Sequence, residues 1–314
     1  MAVSDLINLS GLLDDAKCFA LVRQHRWPEG ARCPVCDSGA VIPDGHDDTQ
    51  PCRQRYRCKA CAGRFDDLTG TVLAGHHQPL RVWVLCLYFM GLNLSNRQIA
   101  GELGLDGSDV QTMTEQLRCG LVAKAPEVTL KGEVEVDEVY VVAGHKGQPA
   151  AVAKRGGSDG VASWQARRAE ARWRRNKPPI LGLIQRGGQV ILHMLANVQQ
   201  TTIKPIITAA VTPGTLVHTD EYAIYTRLPA WGYQHKTVCH GRGEYARDED
   251  GDGFCEVHVN TIEGFWSLLR SWLRPHRGLS QDKLPLYLGF FQFVHNARRR
   301  GKTLLGALIA GLVA

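Results

Sequence analysis

The chain has 314 residues, 44% of them apolar, and a net charge of +6, which suits a globular enzyme of two or three domains. Its N-terminus lacks a basic-then-apolar signal pattern, and its longest nearly apolar run, Leu304 to Ala314, is too short to span a bilayer. Secreted and membrane classes are therefore set aside, and the ten cysteines read as metal ligands and buried thiols rather than disulfides.

Residues 1–30 read as one short helix, with Asp14 and Asp15 near its start and Trp27-Pro28 at its end. Residues 31–70 are rich in Cys, Gly and Asp, with short strand-like pieces such as Arg55-Tyr56-Arg57. Residues 71–125 are helical, and Leu80, Val84, Leu87 and Tyr88 recur at helical spacing. In SNRQIAGELGLDGSDVQTMTEQLR, Ser95 and Gln98 form a capping box, Gly104 ends that helix, and Ser108 with Gln111 forms a second box. Two short helices with a tight Gly-bearing turn suggest a helix-turn-helix, with a plain αα-hairpin as the alternative. Gln111, Thr112 and Arg118 on the second helix are candidate DNA contacts.

From Gly132 the period switches to two. A strand over 133–142 is followed by a basic loop, 145–177, and then by a hairpin, PPILGLIQ-RGG-QVILHMLA. A helix spans Thr201 to Val211, a fourth strand runs from Thr215 to Thr219 and ends at Asp220, and a fifth runs from Tyr233 to Val238. A long helix begins near Asn260. The order β-β-β-α-β-(α)-β-α is that of an RNase H-like α/β domain over 131–300, a mixed five-stranded sheet with helices. The apolar tail, 301–314, reads as a packing helix or a dimer contact.

Charge is unevenly placed. Residues 154–177 hold eight basic and two acidic residues, an excess equal to the whole net charge. Such a block, including Arg167, Arg168, Arg172, Arg174 and Arg175, points to nucleic acid, or more plainly to a solvated loop. Trp164 and Trp173 in the same loop could stack on bases, though core packing is the commoner role of a Trp.

CPVC (Cys33, Cys36) and CKAC (Cys58, Cys61) are two Cys-x-x-Cys knuckles, the arrangement of a structural zinc site with four thiolates. Cys52 and His46 lie between them and could replace a ligand, but the paired spacing favours these four. Arg53, Arg55, Arg57, Lys59 and Arg64 surround the second knuckle and favour a ribbon that grips DNA, with a purely scaffolding ribbon as the alternative.

Glu133, Glu135 and Asp137 share one face of the first strand, an arrangement that repels itself unless the face is solvated or something positive sits against it. In an RNase H-like sheet the first and fourth strands are neighbours, which brings Asp137 to Asp220, and the helix after the fifth strand could add Glu263. Three such carboxylates would hold two Mg²⁺, with Mn²⁺ as a substitute. Each acid has a duller alternative. Asp220 could cap a following helix, Glu263 could be the capping-box partner of Asn260, and Glu133 or Glu135 could be the ligand in place of Asp137. Ile262, Phe265, Trp266, Leu269 and Leu273 form an apolar stripe on the last helix. Arg270, two turns beyond Glu263, could meet a phosphate or another acid.

Together, CPVC, CKAC, LTGT with the following Trp83 helix, VEVDEVY, VHTDEYAIY, VNTIEGFWSLLR and FQFVHNARR resemble the DDE transposases of bacterial insertion sequences, in the zinc-ribbon group related to Merlin elements. The resemblance covers about residues 10–300. It implies Asp137, Asp220 and Glu263 as the metal-binding triad, with Arg270 as the basic residue two turns on. It also implies binding of the element's terminal inverted repeats, metal-dependent cleavage and 3′-OH strand transfer into target DNA. A homodimer or larger assembly on DNA and a cytoplasmic, nucleoid-associated location follow as expectations. The alternatives are a catalytically inactive DNA-binding derivative and a structure-selective nuclease of RNase H-like fold. The chain departs from the pattern in its long basic loop and in CHGRGEYARDEDGDGFCEVH, residues 239–258. There Asp248, Asp250 and Asp252 imitate a calcium loop that lacks its Glu at position twelve, and Cys239, His240, Cys255 and His258 offer a second zinc set.

Overall fold

A computed structural model describes residues 14–144, 177–276, 278–298 and 301–313. They fall into two compact units, one within Met1–Ala125 and Ala297–Ala314, the other Pro126–Asn296.

The first unit opens with helix α1 (Asp15–Arg26), whose N-cap Asp14 accepts from the Ala16 and Lys17 N–H groups. A small antiparallel sheet follows, β1 (Val41–His46), β2 (Gln54–Cys58) and β3 (Arg64–Asp66), in that order. Arg23 ties α1 to this sheet by a two-pronged contact at 2.9 Å with Asp67, which is fully buried and also accepts from the Tyr56 hydroxyl. Helices α2 (Leu80–Gly91), α3 (Asn96–Leu103) and α4 (Gly107–Ala123) complete the ascending half. The Ser95–Gln98 capping box forms as expected, and Gly104 ends α3 at φ 64°. The second expected box does not form. Helix α4 begins earlier, behind Asp106, and Gln111 instead accepts from the Asn96 side chain on α3 at 2.6 Å. The C-terminal run is a packing helix, α8 (Lys302–Val313). Its Leu304 and Leu308 fill the space over Gly91, and its Leu312 the space over Gly120.

The second unit is built on a five-stranded mixed sheet of order β6-β5-β4-β7-β8. Strands β4 (Glu133–Tyr140), β5 (Pro179–Gln185) and β6 (Val190–Met194) are joined antiparallel, while β7 (Leu216–Thr219) and β8 (Gln234–Thr237) run parallel to β4. The hairpin and the neighbouring first and fourth strands are as expected. Alternation along β4 separates two cores. Val134 and Val136 point to a layer with Ile203 and Ile207 of α5 (Gln200–Ala210). Val139 joins Ile262, Phe265, Trp266 and Leu269 of α6 (Asn260–Leu273) and Leu284, Leu288 and Phe291 of α7 (Leu284–Asn296). Gln292 and Asn296 of α7 accept from the Leu192 and Val190 N–H groups of β6. A two-stranded ribbon, β9 (Ala246–Arg247) and β10 (Val257–His258), precedes α6. The described residues thus contain eight α-helices, and none is long and apolar enough to cross a membrane.

Candidate metal centres

The two Cys-x-x-Cys knuckles turn the same way. Asp37 and Ala62, each directly after the second cysteine of its pair, adopt left-handed backbone at φ 55° and 57°. The turns bring Cys33 Sγ to 3.6 Å from Cys61 Sγ, and Cys36 Sγ to 3.6 Å from Cys58 Sγ, with all four sulfurs within 4.8 Å of one another. A tetrahedron with Zn–S bonds of about 2.3 Å needs sulfurs roughly 3.8 Å apart, so the set fits structural zinc. The backbone N–H of Cys61 aims at Cys58 and draws its thiol pKa down to about 7, which eases the deprotonation a metal requires. Cys52 stays outside this cluster, its carbonyl accepting from Arg23.

The acids of β4 have three fates. Glu133 and Glu135 both receive Arg186, at 2.6 and 2.8 Å. Glu135 is fully buried, and its other oxygen accepts from the Ile262 N–H in the first turn of α6. Asp137 lies beyond this pair and accepts from Trp266 Nε1 at 2.8 Å. Gly182 is its register partner on β5, and a Cβ there would lie 2.7 Å from Trp266 Cζ2, so the bare glycine makes room for the indole. Burial raises the Asp137 pKa, and the charges of Asp220 and Glu263 raise it further. The three acids thus stand on neighbouring elements, Asp137 on β4, Asp220 just past β7 beside it, and Glu263 in the first turn of α6. Among the described residues, no Lys or Arg forms an ion pair with Asp137 or Asp220. The oxygens do not close to the 4.8 Å spacing that the sulfurs reach. An open set still suits Mg²⁺, which keeps several waters and takes substrate oxygens.

The duller alternatives fare unequally. Asp220 does accept from the Tyr222 N–H, at 3.0 Å. Glu263 has no capping role, because α6 begins behind Val259 without a side-chain cap and Asn260 is its first helical residue. The Glu263 carboxylate instead faces His240 Nδ1 at 3.8 Å.

Two family models match the chain, the ISXO2-like transposase domain over residues 129–296 and the transposase zinc-ribbon domain over residues 13–64. A Halobacterium salinarum protein described as an uncharacterized protein in transposable element ISH50 is 32% identical over 97% of this chain and 99% of its own length. A Haemophilus influenzae protein described as transposase-like is 28% identical over 32% of this chain and 75% of its own length. The chain belongs to the ISXO2-like transposase family.

The other candidate residues of the transposase fall in several places. Arg57 and Lys59 are exposed beside the zinc knuckles. Arg55 is paired with Asp47 at 3.1 Å, and Arg53 and Arg64 likewise meet Asp66 and Asp44. Gln111 and Thr112 lie on the exposed side of α4. Arg118 is a correction: it is 2% exposed and points into the helical core, so it is not placed to meet DNA. Helical spacing put it on α4 but could not tell which side faces inward. Arg167, Arg168, Arg172, Arg174 and Arg175, with Trp164 and Trp173, lie outside the described residues. Arg270 lines a groove of about 580 Å³ with Tyr140, Lys177, Leu273 and Arg274. Asp248, Asp250 and Asp252 do come within 4.8 Å of one another on an exposed loop, where Gly251 and Gly253 N–H groups already engage Asp248. Cys239, His240, Cys255 and His258 form no metal-spaced group among the described residues.

Several residues were not singled out from the sequence. Arg186 could have been found from the hairpin register, since continuing β4–β5 pairing sets it opposite Glu133. Glu138, on the other sheet face, accepts from the Tyr225 hydroxyl, and burial raises its pKa to about 7. Glu221, next to Asp220, accepts from the His240 and Gly241 N–H groups at 2.8 and 2.9 Å and so holds that loop near Glu263.

Proposed function

We propose that Pro126–Asn296 is an RNase H-like catalytic domain of the DDE type and that Asp137, Asp220 and Glu263 are its metal-binding triad. The observation that carries this is geometric: Asp137 on β4 accepts from Trp266 of α6, the helix whose first turn bears Glu263, while Asp220 directly follows β7, the strand paired with β4. Each acid is held differently. Asp137 is oriented by Trp266, Asp220 by the Tyr222 N–H, and Glu263 projects from the first turn of α6. Two Mg²⁺ ions, when bound, supply the charge that stabilises the attacking and leaving oxygens of a phosphodiester. Arg270, with Lys177 and Arg274 in the same groove, binds a phosphate of the DNA strand beside the triad.

Water attacks the phosphodiester at the end of the element. The P–O3′ bond breaks, the water oxygen stays on phosphorus as a 5′-phosphate, and the 3′-oxygen takes up a proton and is freed as a 3′-OH. That hydroxyl then attacks a phosphodiester of target DNA, forming a new P–O bond as the target's own P–O3′ bond breaks and its 3′-oxygen leaves as a hydroxyl. Both steps are in-line displacements at phosphorus, so one acidic set serves both. The element's terminal inverted repeats are bound by the zinc ribbon through Arg57 and Lys59, and by α3 and α4 as a helix-turn-helix-like pair presenting Gln111 and Thr112. Two ends are joined in one reaction, so the working form is at least a dimer on DNA, acting in the nucleoid-bearing cytoplasm.

The test is strand transfer with Mg²⁺, a labelled DNA carrying the element's ends and a target plasmid. Joined products are expected from the wild type and not from Asp137→Ala, Asp220→Ala or Glu263→Ala. End binding without cleavage or joining, even in Mn²⁺, would instead identify a DNA-binding derivative.

A further inference from the structure

We propose that Arg186 is a positioning residue for the carboxylate set, acting through Glu135 and His258 on the helix that carries Glu263. The inference rests on reading Asp137, Asp220 and Glu263 as one metal-binding set.

Arg186 follows β5 at the hairpin turn, where its backbone N–H donates to the Glu133 carbonyl. Its guanidinium has five N–H bonds, and four oxygens accept from it, with the His258 ring packed alongside. Nε donates to Glu135 Oε1 at 2.8 Å. One terminal nitrogen donates to Glu133 Oε2 at 2.6 Å and to the Glu256 carbonyl at 2.8 Å. The other donates to the His258 carbonyl at 2.9 Å and lies 3.2 Å from His258 Nδ1. Lysine offers three donors from one point and cannot span this fork.

Two of these residues in turn hold the start of α6. A helix leaves its first N–H groups without intrahelical partners, and α6 has no side chain of its own at the cap. Glu135 Oε2 takes the Ile262 N–H at 2.9 Å, and His258 Nδ1 takes the Asn260 N–H at 3.3 Å. Glu263 is the next residue after Ile262, and Asp137 lies two residues along β4 from Glu135 on the same face. One guanidinium therefore fixes the strand that carries one acid to the turn that carries another. It also occupies Glu133 and Glu135, which leaves Asp137 as the β4 acid open to a cation. The remainder of α6 is anchored separately, by Phe265, Trp266 and Leu269 in the core. Losing the fork therefore loosens the first turn and leaves the helix packed.

The test uses the full chain without DNA and reads Mn²⁺ affinity by calorimetry, with Asp137→Ala defining the relevant site. Arg186→Lys is expected to fold, to keep its zinc, to weaken Mn²⁺ binding about 10–100-fold, as for residues that orient metal ligands, and to lose hydrogen-exchange protection at the Ile262 amide. Glu135→Gln keeps an acceptor for that amide but removes the charge, so a smaller loss in the same direction is expected, and it carries the test if Arg186→Lys does not fold. Ile207→Val, in the opposite core, lowers stability without changing Mn²⁺ affinity. A folded Arg186→Lys with wild-type Mn²⁺ affinity, or an equal loss in Ile207→Val, overturns the positioning role while leaving the triad intact. Wild-type Mn²⁺ binding that survives Asp137→Ala overturns the triad reading and this inference with it.

Discussion

Glu133, Glu135 and Asp137 share one strand face, yet each has different partners. Glu133 is half exposed beside Arg186, Glu135 is buried against it, and Asp137 takes the Trp266 indole N–H. The Trp266–Asp137 bond exists because residue 182 lacks a Cβ. Gly182→Ala should push the indole off Asp137 and cost about 1–3 kcal/mol, as overpacking does, which urea unfolding and the Trp266 indole N–H resonance would report. Away from this site, Cys86 is fully buried on α2, and burial raises its thiol pKa to about 12. The unfolded thiol ionises near its ordinary value of 9.0, so between the two values the native state holds the extra proton. Stability should therefore fall as pH rises above about 9, by at most about 1.4 kcal/mol per unit from this group. Cys86→Ala should flatten that part of the stability–pH curve.

At the level of elements, local signals explain some helix starts and fail at others. Ser95 and Gln98 exchange hydrogen bonds at the start of α3, so Ser95→Ala should cost about 1 kcal/mol in urea unfolding. Ser108 has the same sequence signature but lies inside α4, where its side chain caps nothing. Ser108→Ala should stay within about 0.5 kcal/mol of wild type. Helix α6 is a third case. Asn260 and Glu263 have capping spacing, yet the helix is capped from outside by Glu135 and His258. The local box would have bound Glu263 to its own backbone; the external cap leaves its carboxylate to face outward.

For the whole molecule, the two units depend on different stabilisers. The small sheet of the first unit buries only Tyr56, Phe65 and two cysteines at its centre, with Trp27 packed alongside. So little apolar surface leaves the ribbon dependent on its metal. One zinc per chain is expected, and a strong chelator should remove hydrogen-exchange protection from residues 33–66 while leaving the strands of Pro126–Asn296 protected. Loss of protection in both units together would show a single cooperative structure instead.

The sequence alone determined the features that depend on spacing. The cysteine knuckles, the hairpin of β5 and β6, the Gly104 stop and the placing of Asp137 within a strand, Asp220 just past one and Glu263 at the start of a helix all follow from short-range period and turn chemistry. Tertiary structure decided which groups meet. Arg186 takes two of the three acids on β4, Arg118 turns inward, and α8 returns to pack against helices near the N-terminal end of the chain. The reason is physical: periodicity fixes the side of an element on which a residue lies, whereas burial and charge compensation depend on what a distant stretch of chain brings to that side.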